Sequence, residues 1–213
     1  MTGDIPAICG EAHVKHVALM GKSRSGKDTV AQILVRHAAY TRLAFADRLK
    51  EAALRTNPIL ETLDSAFLAP GASHTIRLAD YVEEVGWERA KDTCPEVRRF
   101  LQEYGQTVRE MDPKFWVRPV TTAVMNGTVW NTPCVVTDVR YRNEVDALRE
   151  LGAVIVRVER PGAGLTGEAA RHSSETELDD VEPDARVLNT STLEHLERAV
   201  CAGLLPQLNG ESE

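Results

Sequence analysis

Residues His16–Leu34 read HVALMGKSRSGKDTVAQIL. The apolar run His16–Met20 stops at Gly21, and its brevity fits a buried strand of a parallel sheet. Val30, Ile33, Leu34 and Ala38 then recur at helical spacing, which predicts a helix from near Lys27 to about Ala39. Between strand and helix, Gly21, Gly26 and Lys27 have the spacing of a phosphate-binding loop. The two glycines let the backbone curl until successive N–H groups converge on an anion at the positive end of the following helix. Lys27 can reach the terminal phosphates of a nucleotide, and Lys22 and Arg24 add positive charge. The spacing alone is a weak signal; a strand before it and a helix after it supply the context it requires. A glycine-rich turn needed only for packing would leave the lysine unexplained. The expected phosphate-binding set is Gly21, Arg24, Ser25, Gly26, Lys27, Asp28 and Thr29.

The position after the lysine, where a hydroxyl usually helps to hold magnesium, is Asp28, and the hydroxyl of Thr29 comes one residue late. Mg²⁺ prefers to keep its water shell, so an aspartate can engage it through water, while Thr29 keeps a hydroxyl for a phosphate oxygen.

Outward from this stretch, Tyr40–Asp47 (YTRLAFAD) reads as a second strand, and Asp47 caps a helix expected over Asp47–Arg55. From Asn57 to about Met125 there are helical patterns and loops but no convincing strand. The clearest helices are LADYVEEVGWERAK and PEVRRFLQEYGQTVREM, the second with Pro95 in its first turn. CVVTDV (Cys134–Val139) returns to strand character, RNEVDALRELG is a helix closed by Gly152, and AVIVRVER is a further strand. PGAGLTGEAARHSSETELDD is polar and glycine-rich, which predicts a mobile loop or lid. RVLNTSTLEHLERAVCAGLL gives a last strand, a Ser/Thr cap and a final helix with Leu193, Leu196, Val200 and Leu204 on one side. Strands alternating with helices imply an α/β fold with a parallel sheet covered on both faces, which binds ligands at the carboxyl ends of its strands.

With 213 residues the chain can bury a sizeable core, and its 43% hydrophobic and 27% charged content is ordinary for a globular protein. A net charge of −7 argues against a dedicated nucleic-acid binder, though not against a small anionic ligand held by clustered arginines and amides. No apolar run is long enough to span a bilayer, and the acidic start MTGDIPAICGEAH does not read as a signal peptide. Cys9, Cys94, Cys134 and Cys201 form no CxxC pair, so reduced thiols in a cytoplasmic setting are expected, without zinc.

GKSRSGKDT followed by LAFADRLKEAA resembles the deoxynucleoside monophosphate kinases encoded by bacteriophages, whose pattern GxxxSGKDT is shared with the animal phosphomevalonate kinases. The likeness continues in VRRFLQEYGQTVREMDPKFWV, in VVTDVRYRNEVDALRELGAVIVRVERPG and in HSSE, in family order over most of residues 16–200. At Tyr104 this chain reads YGQTVRE where relatives often read LGTExGR. The resemblance implies a P-loop kinase three-layer α/β sandwich with a five-stranded parallel sheet, a helical substrate-binding insertion and a short lid. On that basis one domain is expected over 14–205, with the insertion at 57–125, the lid at 161–183 and flexible termini at 1–13 and 206–213. It also implies ATP as phosphoryl donor, Mg²⁺ as cofactor and a deoxynucleoside monophosphate as acceptor. A homodimer is compatible with it; a nucleic-acid or membrane partner is not expected, and the setting would be the cytoplasm of a host bacterium.

Phosphoryl transfer needs two anionic substrates held in line and their charge neutralised. On the helix from Pro95, Arg98, Gln102 and Arg109 form a polar stripe beside the apolar Val97, Leu101, Tyr104 and Val108. Guanidinium forks suit an acceptor phosphate. The competing reading is a solvated face, since Glu96, Glu103 and Glu110 are near Arg98, Arg99 and Arg109. TDVRYRNE lies at a strand's carboxyl end. There Asp138 is a candidate for magnesium-bound water or the acceptor, and Arg140 for the transferring phosphoryl group. Arg142, Asn143 and Glu144 are candidate substrate contacts, and the alternative for Asp138 is a helix cap. The resemblance places Phe45 and Asp47 beside the acceptor's sugar or base. Trp116 either stacks on a base or belongs to the core. Arg171 is expected to close over the phosphates, and Arg160 more weakly so. His172 is assigned no role as a base, because an acceptor phosphate is already ionised. The expected catalytic set is Lys27, Asp28, Arg140 and Arg171, with Asp28, Thr29 and Asp138 bearing on Mg²⁺ partly through water. The function expected is transfer of the γ-phosphoryl of ATP to a dNMP. The rivals are a related kinase of phosphomevalonate or dephospho-coenzyme A type, and a non-catalytic ATP-binding regulatory module.

Overall fold

A computed structural model describes residues 15–64, 73–164, 167 and 173–210. The expectations for residues 1–13, Cys9, Arg171 and His172 lie outside the described residues.

The elements in chain order begin with β1 (Val17–Met20), α1 (Lys27–Ala38), β2 (Thr41–Leu43), α2 (Phe45–Thr56), β3 (Ile59–Asp64) and β4 (Ser73–Arg77). Helices α3 (Leu78–Val85), α4 (Trp87–Thr93), α5 (Pro95–Met111) and α6 (Val117–Val129) follow. The chain continues with β5 (Cys134–Val139), α7 (Arg142–Glu150), β6 (Val154–Glu159), α8 (Ser173–Thr176) and β7 (Ala185–Leu188). It closes with α9 (Leu193–Arg198), a π-helical turn (Ala199–Leu204) and α10 (Leu205–Asn209). Two compact units result, one from Met1–Leu43 with Val120–Glu213 and the other from Ala44–Pro119.

The first unit is built on a five-stranded sheet of order β2-β5-β1-β6-β7, every neighbouring pair parallel. Central β1 is buried along its whole length, as its unbroken apolar run requires. Val17 and Leu19 pack with Val30 and Leu34 of α1, Val135, Val156 and Val158 of the neighbouring strands, and Leu196, Val200, Leu204 and Leu208 of the C-terminal helical run. The sheet thus carries the carboxyl end of β1, where Gly21 follows, to the sheet edge at which ligands of such folds bind.

The C-terminal run departs from expectation in two ways. Leu193 is 63% exposed, and the buried residues are Leu196, Val200, Leu204 and Leu208. A strict four-residue repeat drifts about 40° per step around an α-helix, and a wider π-helical turn between residues 199 and 204 keeps the row facing the sheet. The terminus expected to be flexible from 206 instead continues as α10, which buries Leu208. Among the described residues, no helix is long and apolar enough to cross a membrane.

The second unit has its own core of Ala53, Leu78, Ala90, Val97 and Leu101. Helix α5 starts on Pro95, as its sequence predicts. Strands were not expected here, yet β3 and β4 pair antiparallel, Thr62 opposite Thr75 and Leu63 opposite His74. The segment LADYVEEVGWERAK is two helices, because Gly86 at φ 79 ends α3 and precedes α4. The second strand also ends sooner than expected: α2 begins at Phe45, so Asp47 lies in its first turn and is neither a strand end nor the cap. A carboxylate there still complements the helix dipole, which explains the residue type without a cap.

Candidate active site

The loop between β1 and α1 bends through three residues at positive φ: Gly21 at 140°, Arg24 at 63° and Gly26 at 103°. Gly21 has no room for a side chain, since a Cβ would lie 2.3 Å from the Val158 carbonyl oxygen. Arg24 holds a left-handed conformation without being glycine, a strain of about 1 kcal/mol that surrounding structure must impose. Part of that structure is Asn189, just past β7, whose Nδ2 donates to the Ser25 carbonyl at 2.9 Å. Sequence reading missed Asn189; its only signal was a polar residue ending the apolar strand RVLN. The Ser25 hydroxyl is buried and makes no hydrogen bond among the described residues. An unmatched buried donor in a curl of glycines is costly unless an anion takes it, so the loop fits a nucleotide phosphate chain.

Lys27 opens α1 and is buried. Its Nζ donates to the Gly21 and Lys22 carbonyl oxygens at 2.7 and 2.8 Å, which spans the loop. Burial pushes its pKa down to about 8, and the Arg140 guanidinium adds to the fall. Glu175, Asp28 and Asp138 act in the opposite direction. Those three carboxylates and Arg140 thus act on one ammonium. Asp28 is exposed at the helix start and Asp138 half-buried near the end of β5. Among the described residues, no group of three or more His, Cys, Asp or Glu could enclose a metal. Mg²⁺ does not need one, because one or two carboxylates, water and substrate phosphates complete its shell. Asp28, Thr29 and Asp138 fit that role.

After β5, Arg140 donates through Nη1 to a carboxylate oxygen of Glu175 and, at 3.4 Å, to the Ser174 carbonyl. Glu144, expected as a substrate contact, is 1% exposed and accepts from the Arg140 and Tyr141 amides at 2.8 and 3.2 Å. Its carboxylate shapes the turn that presents Arg140. Arg142, also expected to touch substrate, is drawn into an exposed pair with Asp180, and its amide donates to Glu177 at 2.9 Å. Asn143 is half-buried in the first turn of α7.

The stretch expected as a mobile lid is, from Ser173 onward, tied to the sheet. Leu178 and Val181 are buried, and Arg157 of β6 donates to the Leu178 and Val181 carbonyls at 2.7 and 2.6 Å. Lys22 donates to the Glu175 carbonyl and to Asp179, both at 2.5 Å, and the Ser23 amide donates to Glu175 Oε2 at 3.1 Å. Glu175 was not singled out in the sequence, where it is one acid among several in HSSETELDD.

In the second unit, Arg98 and Gln102 line an open pocket with Lys91, Asp92, Pro95 and Arg99. Arg98 donates over long distances, 3.3 Å to Asp92 and 3.4 Å to the Lys91 carbonyl. Arg99 is held by Glu96 and Glu103 on the exposed helix face, so the solvated reading wins there. Trp116 is 3% exposed, its Nε1 donates to the Gly105 carbonyl at 3.1 Å, and Tyr104 and Phe115 meet it edge-on. It has no open face for a base; the core reading wins. Phe45 is likewise buried.

The family model described as "Deoxynucleotide monophosphate kinase" matches residues 62–200. A protein of Acanthamoeba polyphaga mimivirus named "Putative deoxynucleotide monophosphate kinase" is 25% identical over 201 residues, 91% of this chain and 98% of that protein. The protein ORF77 of Ictalurid herpesvirus 1 is 34% identical over 108 residues, 50% of this chain and 47% of that protein. The match thus spans about half the length of that relative. Both relatives are viral. Among solved structures, a gluconokinase from Sinorhizobium meliloti 1021 superposes with a TM-score of 0.48 at 18% identity, covering 93% of this chain and 96% of its own.

Proposed function

The chain belongs to the deoxynucleotide monophosphate kinase family, and from that premise we propose that it transfers the γ-phosphoryl group of ATP to a deoxynucleoside 5′-monophosphate, giving ADP and a deoxynucleoside diphosphate. The observation that carries the donor half is the loop itself: Lys27 spans it through the Gly21 and Lys22 carbonyls, in the field of Arg140, Glu175, Asp28 and Asp138, and the buried Ser25 hydroxyl has no partner among the described residues.

In this reading the loop amides, Ser25 and Thr29 bind the donor's phosphate chain, and Lys27 leaves the Gly21 and Lys22 carbonyls for its terminal oxygens. Mg²⁺, when bound, would supply charge neutralisation on the phosphates, and Asp28 and Asp138 would hold it through water. Arg140 holds the transferring group, and Arg98 with Gln102 holds the acceptor phosphate. An acceptor phosphate oxygen forms the new P–O bond as the bond to the ADP oxygen breaks. That oxygen carries no proton at neutral pH, so no general base is required.

The test is an acceptor panel in an ADP-coupled assay with Mg²⁺–ATP: the four dNMPs, their ribonucleotide counterparts, phosphomevalonate and dephospho-coenzyme A. Turnover on at least one dNMP, lost in Lys27→Met and strongly lowered but still measurable in Arg140→Ala, is the expected result. Turnover confined to either of the last two acceptors would replace the acceptor, and none at all would leave an ATP-binding module.

A further inference from the structure

Glu175 stands on the four-residue helix α8, with its side chain only 4% exposed. A buried carboxylate persists only where donors compensate its lost hydration. Here its two oxygens go to different parts of the machinery: Oε2 accepts from the Ser23 amide at 3.1 Å, and Oε1 accepts from Arg140 Nη1. Its own carbonyl accepts from Lys22 Nζ at 2.5 Å, so both side chain and backbone of this residue grip the loop. The helix itself is held from behind, because Arg157 ties down the turn after it and Leu178 is buried. These groups enclose a narrow cleft lined by Gly21, Lys22, Arg140, Arg157, Glu175 and Asp179.

We infer that Glu175 is a positioning residue, which fixes the Arg140 guanidinium and the Ser23 turn of the phosphate loop in the geometry that phosphoryl transfer uses. The inference rests on the function proposed above. Three points of geometry support it. Arg140 follows a strand end and has a long side chain with many rotamers, and one hydrogen bond to the Ser174 carbonyl at 3.4 Å would not hold it. The Ser23 turn precedes the strained Arg24, so the carboxylate acts where the loop needs support. Glu175 also places a negative charge among Lys22, Lys27 and Arg140, which would otherwise repel one another. Without it the cations spread apart and the reacting groups lose alignment, for which errors of about 1 Å cost on the order of 100-fold in rate.

The test compares wild type, Glu175→Gln, Glu175→Asp, Arg140→Ala and the Glu175→Gln/Arg140→Ala double variant. Glutamine keeps an acceptor for Ser23 but gives up the charge that holds Arg140, and aspartate keeps the charge but is too short to reach both donors. Both single variants at Glu175 are expected to lose about 10- to 100-fold in kcat with KM for the dNMP changed less than about threefold. In the Arg140→Ala background, Glu175→Gln is expected to cost less than about threefold more, because the two residues act as one. A merely structural role would lower melting temperature and give multiplying losses, and that pattern would overturn the inference. Tighter ATP binding with faster turnover would overturn it too, since the carboxylate would then be an occupant that phosphate must expel. Calorimetric ATP binding at a fixed pH gives a readout independent of turnover: Glu175→Asp, too short to keep the Ser23 amide contact, should weaken ATP binding about threefold or more, the loss expected of a loop hydrogen bond. Unchanged ATP affinity would contradict the hold on the loop even if no dNMP were phosphorylated. Absence of turnover in the wild type alone would count against the proposed function instead.

Discussion

The Lys27 ammonium reaches back along its own loop and donates to the Gly21 carbonyl oxygen at 2.7 Å. Burial, with help from Arg140, lowers its pKa to about 8. Below that value the lysine is charged and ready for phosphate; above it, the free protein holds a growing neutral fraction. Phosphate oxygens favour the charged form, so binding ATP raises the pKa again. At pH 8.5, calorimetry in buffers of different ionisation enthalpy should show proton uptake of about half a proton or more per ATP bound, falling toward zero at pH 6.5. Lys27→Met should abolish the uptake; uptake that persisted in that variant would assign the proton elsewhere.

Asp28 sits at the exposed start of α1, in the field of Lys27. If it orients the water shell of Mg²⁺ during transfer, Asp28→Ala should lower kcat by about 100-fold and change ATP affinity by less than about threefold. Equal losses in both would mean that it serves ground-state binding only.

Neighbouring arginines on α5 should behave differently. Arg98 lines the pocket with Gln102 and donates over 3.3 and 3.4 Å to Asp92 and the Lys91 carbonyl, whereas Arg99 is occupied by Glu96 and Glu103. Arg98→Ala is expected to raise KM for the dNMP about 10-fold or more, as loss of a charge-assisted phosphate contact should. Arg99→Ala should leave kinetics within about twofold, because exposed ion pairs contribute little. Reversal of that order in steady-state kinetics would move the acceptor site to the other face of the helix.

His16 is buried just before β1, with Nδ1 accepting from the Cys134 amide at 3.1 Å and Nε2 donating to Thr128 Oγ1 at 2.9 Å. A proton on Nδ1 would face another N–H, and burial already lowers the pKa. Since the folded value lies below the unfolded value near 6.5, the stabilisation is complete above pH 6.5 and is lost as the pH falls through the folded value. Urea midpoints should therefore drop between pH 7.5 and pH 5, and His16→Asn should flatten that slope. A slope unchanged by the substitution would point to other groups.

The turn between β1 and α1 was legible because two glycines and a lysine mark it at contiguous spacing, and β1 and α1 around it declare themselves by periodicity. Strand β5 and helix α5 were legible for the same reason, the latter opened by Pro95. What escaped depends on partners distant in sequence. Glu175 meets Ser23 and Arg140, and Asn189 meets Ser25, only once the parallel strands are ordered around β1. Trp116 had both a core and a ligand reading until Tyr104, Phe115 and Gly105 surrounded it. The pairing of β3 with β4 escaped because ILETLD and SHTIR carry polar residues throughout, and residues 65–72 separate them where the plainest hairpin signal is a two-residue turn. Asp47 shows a milder failure: first-turn and capping aspartates share one sequence signal, and backbone geometry alone separates them.

Phosphoryl transfer to a dNMP is read out by separating the nucleotides after incubation of the protein with Mg²⁺–ATP and each dNMP in turn. One ADP and one deoxynucleoside diphosphate are expected for each ATP consumed, dependent on a dNMP and absent in Lys27→Met. ATP consumed with no dNDP formed, or no ATP consumed with any of the four, would contradict the proposed function.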